Sequence, residues 1–212
     1  MPPQSPVAAE AGAPARPAGR FWNVPNTLSV SRLGLAVFVL AAIAAGWYGW
    51  ALGLFLVAGV SDWLDGYFAR LLGQDTPLGR QLDPLVDKVI ICGAFIYLEA
   101  VPGAGVYPWM VAAIVFRELI IQGLRSLMEG HGMAFGAKMA GKLKTTCQCA
   151  SISAVLLVLW MGDAPPALVL VRDVLTWLAV ALTLYSGGAY LRHAAPALRR
   201  EAARGRRTGD DA

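Results

Sequence analysis

The sequence predicts an all-α, polytopic membrane protein with six transmembrane helices and both termini in the cytoplasm. Its composition is 57% hydrophobic and 15% charged, with a mean hydropathy of +0.54, which is outside the range of soluble globular domains. Six apolar runs, each close to the length that crosses a bilayer, are separated by links that contain glycine or polar residues. At 212 residues, we expect a single membrane domain.

The apolar runs also divide the chain into a domain and two tails. Residues 1–20 are rich in proline and alanine and contain no apolar segment, so we expect a disordered cytoplasmic tail. The membrane domain is expected over residues 21–192 and a basic cytoplasmic tail over residues 193–212. The six predicted spans are Leu28–Gly46, Ala51–Leu72, Gln81–Ala100, Tyr107–Leu127, Lys142–Met161 and Ala167–Leu191.

Lysine and arginine are distributed unevenly between the two sides of these spans. The links after spans two and four and both tails contain them, whereas the links at 46–50, 101–106 and 162–166 contain none. Because positive residues concentrate on the cytoplasmic side, both termini and the junction of spans two and three are expected there. Arg172 is the exception, and we expect it to pair with Asp173 or to extend towards the interface. The net charge of +4 is too small to suggest a nucleic-acid partner.

Four carboxylates interrupt the apolar sequence of spans two and three. They are Asp62, Asp65, Asp83 and Asp87. A charged residue at the bilayer centre costs about 3 kcal/mol, so the four together oppose insertion by roughly 10 kcal/mol. Helical spacing puts each pair on one stripe of its helix, and the short link predicts antiparallel neighbours with all four carboxylates together. Pro84 is expected in the first turn of the third span, where a proline is tolerated.

Such a carboxylate cluster suits metal-assisted displacement at phosphorus. Close carboxylates need cations to stay ionised, and oxygen-only ligation favours Mg²⁺, Mn²⁺ or Ca²⁺. Two ions can clamp an in-line displacement, and a partly free carboxylate can act as general base. Gly66 and Gly79 leave room for a ligand, and Arg70 can bind phosphate oxygens. An ion or proton pathway is the alternative, although its carboxylates would be spaced along the membrane normal.

Polar residues also precede the first apolar run. Asn26, Thr27 and Ser29 follow Pro25 directly. They either cap the first helix or, together with Arg32, face the same site as the carboxylates. The spacing leaves both interpretations open.

Cations from the second half of the chain are expected on the same side as the carboxylates. Arg117, Arg125, Lys142 and Lys144 would form an anion pocket if they surround the metal site, and an acceptor carrying its own phosphate would fit it. Lys142 and Lys144, together with Lys138, could instead belong to a cytoplasmic positive belt. Arg117 lies within a span and needs partners, for which Glu118 is a candidate.

The carboxylate pattern D-x2-D-G-x2-A-R-x8-G-x3-D-x3-D resembles the signature of the CDP-alcohol phosphotransferases. It is complete here as Asp62, Asp65, Gly66, Ala69, Arg70, Gly79, Asp83 and Asp87. The resemblance covers about residues 21–192 and implies transfer of a phosphoalcohol group from a CDP-alcohol to a hydroxyl, with release of CMP. It also implies two Mg²⁺ or Mn²⁺ ions held by the four aspartates, with Asp87 as the base. The donor pocket it implies comprises Asn26, Thr27, Ser29, Gly66, Ala69, Arg70, Thr76 and Gly79.

A second pattern, R-E…R…G-K-x-K-T-x2-Q, resembles the bacterial phosphatidylglycerophosphate synthases within this family. Related cardiolipin synthases tend to carry S-K-x-N-T at the fifth span, so Gly141 and Lys144 favour the former, and relatives that use inositol phosphate remain open. The resemblance implies CDP-diacylglycerol as donor, sn-glycerol 3-phosphate as acceptor and a role in phospholipid biosynthesis. The site would face the cytoplasm from a bacterial cytoplasmic membrane, among membrane lipids, and a homodimer is left open.

Overall fold

The computed structural model describes the backbone of residues 24–72, 77–130 and 138–210, and the side chains of residues 31–61, 88–126, 128, 143–192 and 195. Within these ranges the chain is all-helical, with no strand. The helices are α1 (Val24–Ala44), α2 (Tyr48–Leu72), α3 (Pro77–Glu99), α4 (Pro108–Gly130), α5 (Lys138–Met161) and α6 (Pro166–Asp210). The all-α fold with six helices is confirmed. Helix α6 continues through most of the segment that we assigned to the basic tail.

Proline and glycine define the helix ends. Helices α3, α4 and α6 begin at a proline, which lacks the N–H that would have no partner in a first turn. Helix α1 ends in a Schellman motif, with Gly46 at a φ of 75° and the Trp47 N–H donating to the Ala42 carbonyl at 2.9 Å. The position expected for Pro84 was wrong. Since α3 begins at Pro77, Pro84 lies inside the helix, where a proline forgoes one backbone hydrogen bond.

Helix α1 is central to the packing of the first half of the chain. In the described residues α2 and α3 both pack against α1, α5 packs against α2, α3 and α6, and α4 packs against α3 and α6. The apolar core includes Phe95 and Leu98 of α3 together with Ile152 and Leu156 of α5, and all four side chains are fully buried. The two helices that carry the aspartates are therefore fixed by a common core with α1 and α5.

The links after α1, α3 and α5 lie together at one end of the bundle, here called the link end. Gly49, at the start of α2, lies against Trp160, at the end of α5, so closely that a Cβ there would fall 2.6 Å from the indole nitrogen. Arg172 of α6 donates a 2.6 Å hydrogen bond to the Gly103 carbonyl and forms an ion pair with Asp173 at 2.7 Å. The predicted Arg172–Asp173 pair is confirmed. The opposite end, where α2 leads into α3, is called the carboxylate end.

The outer surface of the bundle is unusually apolar. Large side chains such as Phe38, Trp50, Phe116 and Leu170 are more than 60% exposed, and contiguous apolar surface of this kind marks contact with a membrane or a partner. Among the described residues, Leu143–Met161 and Pro166–Arg192 are each long and apolar enough to cross a membrane. The described apolar parts of α1 and α2 are shorter.

Candidate active site

The four predicted metal ligands lie on the two helices that meet at the carboxylate end. Asp62 and Asp65 are on α2 and Asp83 and Asp87 are on α3, so each pair spans about one helical turn as the spacing predicts. Their side chains lie outside the described residues. Within the described residues α2 packs against α1 and α5, and α3 packs against α1, α4 and α5, so the predicted direct packing of α2 against α3 is not seen there. Convergence of the four carboxylates therefore stays a prediction.

The predicted donor pocket also lies outside the described side chains. Asn26, Thr27 and Ser29 belong to the first turns of α1, Gly66, Ala69 and Arg70 to α2, and Gly79 to α3, while Thr76 lies outside the described backbone. Among the side chains that are described, no group of three or more His, Cys, Asp or Glu residues could hold a metal ion. Metal ligation and donor binding remain assigned on the sequence pattern.

A buried ionic network occupies the described part of the same half of the molecule. Glu118 of α4 is 5% exposed and forms salt bridges with Lys144 of α5 and, at 3.2 Å, with Arg117. The second terminal nitrogen of Arg117 donates a 3.0 Å hydrogen bond to the Ser186 hydroxyl of α6. The predicted pairing of Arg117 with Glu118 is thus confirmed. Glu118 links α4 to α5 through Lys144, and Arg117 links α4 to α6 through Ser186.

The burial of Lys144 decides between two interpretations of the fifth helix. A cation of a positive belt would be solvated, but Lys144 is 5% exposed and bonded to Glu118. The belt interpretation is therefore wrong for Lys144. The side chain of Lys142 lies outside the described residues, so its role stays a prediction.

Two further cations face this network. Lys88 of α3 donates a hydrogen bond to the side-chain carbonyl of Gln122 on α4, and its ammonium interacts electrostatically with Glu118, Arg117, Arg125 and Lys144. Lys88 directly follows Asp87, so the cations adjoin the helix that carries two of the predicted metal ligands. Lys88 was not among the site residues predicted from the sequence, although a lysine inside an apolar helix is itself a signal of function.

Arg125 of α4 is the most accessible of the cations. Its guanidinium carbon lies 6.0 Å from the centre of the Tyr190 ring on α6, within the range of a cation–π interaction, and Tyr190 itself is buried. Arg117, Arg125 and Lys144, all predicted from the sequence, are therefore brought to one region together with Lys88.

A column of buried hydroxyl and amide groups joins α5 to α6. Gln148 donates to Thr183 at 3.1 Å, and Ser151 and Thr176 share a 2.8 Å hydrogen bond. All four side chains are at most 1% exposed. Buried polar groups without partners are costly, so these pairs fix the rotation and register of the two helices and with them the positions of Lys144 and Ser186.

Comparison with known proteins groups the chain with lipid-synthesising transferases. The sequence profile of the CDP-alcohol phosphatidyltransferase family matches residues 22–185. A Bacillus subtilis (strain 168) protein named CDP-diacylglycerol–glycerol-3-phosphate 3-phosphatidyltransferase is 35% identical over 187 residues, which cover 80% of this chain and 94% of that protein. A Cereibacter sphaeroides protein of the same name is 31% identical, with coverages of 85% and 99%. A Mycobacterium tuberculosis protein provisionally named a cardiolipin synthase is 37% identical over 133 residues, covering 59% and 60%.

Proposed function

Because the chain belongs to the CDP-alcohol phosphatidyltransferase family, we propose that it transfers the phosphatidyl group of CDP-diacylglycerol to sn-glycerol 3-phosphate. The products are phosphatidylglycerophosphate and CMP, and the reaction belongs to phospholipid biosynthesis. The observation that carries the proposal is the pair of bacterial relatives with this named activity, which match 80% and 85% of the chain and nearly all of their own length. The cations around Glu118 support an acceptor that carries a phosphate.

The side chains predicted at the carboxylate end are suitable ligands for two divalent cations. Asp62, Asp65, Asp83 and Asp87 offer only carboxylate oxygens, which Mg²⁺ and Mn²⁺ prefer over nitrogen or sulfur ligands. When bound, such ions would neutralise charge on the donor's pyrophosphate and on the departing CMP. The spacing of one turn within each pair suits this role.

The chemical step assigned to the protein's own residues is a proton transfer. The carboxylate of Asp87 accepts the proton of the C1 hydroxyl of the acceptor, whose oxygen then bonds to the lipid-bound phosphorus. The bond from that phosphorus to the bridging oxygen breaks, and CMP leaves with both electrons of that bond. Gly66 and Gly79 give the cytidine diphosphate access to the backbone, and Arg70 binds its phosphate oxygens. Asn26, Thr27, Ser29, Ala69 and Thr76 complete this donor pocket.

The phosphate of the acceptor is drawn to the cations beside Asp87. Three cations, Arg117, Arg125 and Lys144, and one carboxylate, Glu118, lie near Lys88. Lys142 lies two residues before Lys144 on α5. An excess of positive charge in a partly buried site attracts an anion and favours a phosphorylated acceptor over a neutral one.

We place the enzyme in the cytoplasmic membrane of a bacterium, with the carboxylate end at the cytoplasmic face. Three observations support this location. The outer surface is apolar, and α5 and α6 each contain a segment that is long and apolar enough to cross a membrane. The links at 46–50, 101–106 and 162–166 contain no lysine or arginine. A soluble phosphorylated acceptor would then reach the site from the cytoplasm, while the lipid donor would enter from the bilayer.

The decisive experiment supplies acceptors one at a time. The purified protein in mixed micelles is given CDP-diacylglycerol, Mg²⁺ and one of glycerol 3-phosphate, phosphatidylglycerol or inositol phosphate, and CMP release and lipid products are measured. We expect CMP and a lipid product with glycerol 3-phosphate. A lipid product with phosphatidylglycerol and none with glycerol 3-phosphate would contradict the proposal.

Cardiolipin synthesis is the second candidate, because the mycobacterial relative carries the highest identity of the three proteins compared. That match covers 59% of this chain, against 80% for the Bacillus protein. The buried Lys144 also favours glycerol 3-phosphate as the acceptor. A phosphorylated acceptor needs positive charge beside its binding site, and Lys144 contributes to that charge.

A further inference from the structure

A cavity with aromatic walls lies at the link end, between the start of α2 and the end of α5. It has a volume of about 510 Å³, and the aromatic side chains that line it are Trp47, Tyr48, Trp50 and Trp160. Aromatic residues make up 9% of the chain, so four of them around one cavity is a marked concentration. The predicted active site is at the opposite end of the bundle, and no step of the proposed transfer uses this aromatic cavity.

Gly49 determines the shape of the aromatic cavity. A Cβ at this position would fall 2.6 Å from the indole nitrogen of Trp160 and 2.8 Å from the neighbouring ring carbon, so a larger residue would push the ring aside. The indole of Trp160 therefore lies directly on the backbone of α2, one residue before Trp50 in the first turn of that helix. Two distant parts of the chain thus contribute aromatic rings to the same cavity.

The link end carries negative charge. Its three links contain no lysine or arginine, and Asp163 lies three residues after Trp160. Glu99 ends α3 at the same end of the bundle. Arg172, a cation of α6 at this end, is neutralised by Asp173 at 2.7 Å. The local charge therefore favours a cationic ligand and disfavours an anionic one.

We propose that the aromatic cavity binds the ammonium group of a zwitterionic phospholipid, such as one with an ethanolamine or choline headgroup. The negative face of an aromatic ring attracts a cation, and tryptophan does so most strongly. Sites built from several aromatic side chains are a common means by which proteins recognise alkylated ammonium groups. Three tryptophans and a tyrosine, with an acidic residue in the adjoining link, provide this chemistry.

The surroundings of the cavity favour a lipid over a soluble cation. Its three tryptophans are each more than 60% exposed on an apolar outer surface, and tryptophan is enriched at the level of the lipid headgroups. A second cavity, of about 590 Å³, shares Tyr48 with the first and extends between α1 and α3 past Ile43 and Ile96. Its apolar lining suits the first methylenes of an acyl chain, which a soluble cation lacks.

A general aromatic belt makes different predictions. In that case the tryptophans would anchor the helices at the interface whatever the headgroup, and removing any exposed tryptophan of the link end would have the same effect. Trp109, at the start of α4, is 49% exposed and lies outside the lining of the aromatic cavity, with its ring centre 5.4 Å from that of Trp177. Its replacement is therefore the matched control.

The test measures lipid binding to the purified full-length protein in detergent. Phosphatidylethanolamine and phosphatidylglycerol with identical acyl chains are titrated separately, and native mass spectrometry gives the number of bound lipids and their Kd. The shift in Tm caused by each lipid is a second readout. The wild type, Trp50→Leu, Trp160→Leu and Gly49→Ala are compared with Trp109→Leu. Phosphoethanolamine, which has the headgroup without the acyl chains, tests for a soluble ligand.

We expect the Kd for phosphatidylethanolamine to rise about fivefold or more in Trp50→Leu and Trp160→Leu, because each variant loses a cation–π contact. Gly49→Ala should weaken the same binding, since a Cβ there displaces the Trp160 ring. The Kd for phosphatidylglycerol should change by less than about twofold in these variants, because that lipid has no ammonium group to lose its contact. Trp109→Leu should resemble the wild type with both lipids.

Unchanged binding of phosphatidylethanolamine in Trp50→Leu and Trp160→Leu would overturn the inference. An equal loss of phosphatidylglycerol binding in these variants, or an equal loss in Trp109→Leu, would also overturn it, since both are the behaviour of a general belt. Phosphoethanolamine that binds as tightly as the lipid would contradict a lipid occupant. If Trp160→Leu does not fold, Trp50→Leu decides, because Trp50 is 74% exposed.

Discussion

Replacing Glu118 with glutamine tests the network that supports the cation cluster. The carboxylate is 5% exposed and joins Lys144 to Arg117, so Glu118→Gln leaves two cations without their shared counterion while preserving the shape of the side chain. Breaking a buried ion pair by removing one partner costs about 3–5 kcal/mol. Because glutamine keeps one oxygen that can accept a hydrogen bond, we expect a loss of about 3 kcal/mol in the free energy of unfolding.

For a chain of this length, a loss of about 3 kcal/mol corresponds to a decrease in Tm of roughly 6–12 °C. The assay is thermal unfolding of the purified protein in detergent, followed by light scattering or intrinsic tryptophan fluorescence. Glu99→Gln is the matched control, because Glu99 is half-buried at the link end of α3, away from the cluster. We expect it to change stability by less than about 1 kcal/mol.

A double variant isolates the electrostatic part of the effect. Adding Lys144→Gln to Glu118→Gln removes one of the two stranded cations, so we expect the double variant to be less destabilised than the sum of the single changes. A Tm for Glu118→Gln within 2 °C of the wild type, or equal to that of Glu99→Gln, would refute the view that this network stabilises the helices around the site.

Three further outcomes follow from the same account. Asp87→Asn should fold normally but lower kcat by at least about 10²-fold, because the general base is removed; CMP release measures this, and near-normal turnover would remove Asp87 from that role. Chelation with EDTA should abolish CMP release and added Mg²⁺ should restore it; activity that persists after extensive chelation would contradict metal dependence. Gly187→Ala places a Cβ 3.0 Å from Cγ of Arg117 and should raise the acceptor KM severalfold, whereas Gly188→Ala, with open space at its Cβ, should leave it unchanged. Equal effects at the two glycines would argue against crowding of Arg117.

Much of the fold could be predicted because its signals are local. Apolar runs between glycine and proline gave six helices, and the ends of α2 and α5 agree with the predicted spans. The pairs Arg117–Glu118 and Arg172–Asp173 were also predictable, since each joins adjacent residues of which one needed a partner inside a span. The start of α3 was placed too late because Pro84 was taken as the first-turn proline instead of Pro77.

The tertiary contacts of the candidate site were harder to predict from the sequence. Ser186 lies 69 residues after Arg117, and Gln122 lies 34 residues after Lys88. Which residues meet across such separations depends on how far each helix is rotated, and a single sequence of nearly continuous apolar helices carries little information on rotation. The sequence motif indicated which carboxylates belong to the site. The proximity of Lys88 to Arg125, by contrast, could be recognised only from the packing of the helices.

The most direct test of the account is the lipid product formed from labelled glycerol 3-phosphate. The purified enzyme, reconstituted in vesicles with CDP-diacylglycerol and Mg²⁺, is incubated with isotope-labelled glycerol 3-phosphate, and the lipids are identified by mass spectrometry. We predict labelled phosphatidylglycerophosphate in a one-to-one ratio with the released CMP. CMP release without label in the lipid, or a labelled lipid without CMP, would contradict the proposed transfer.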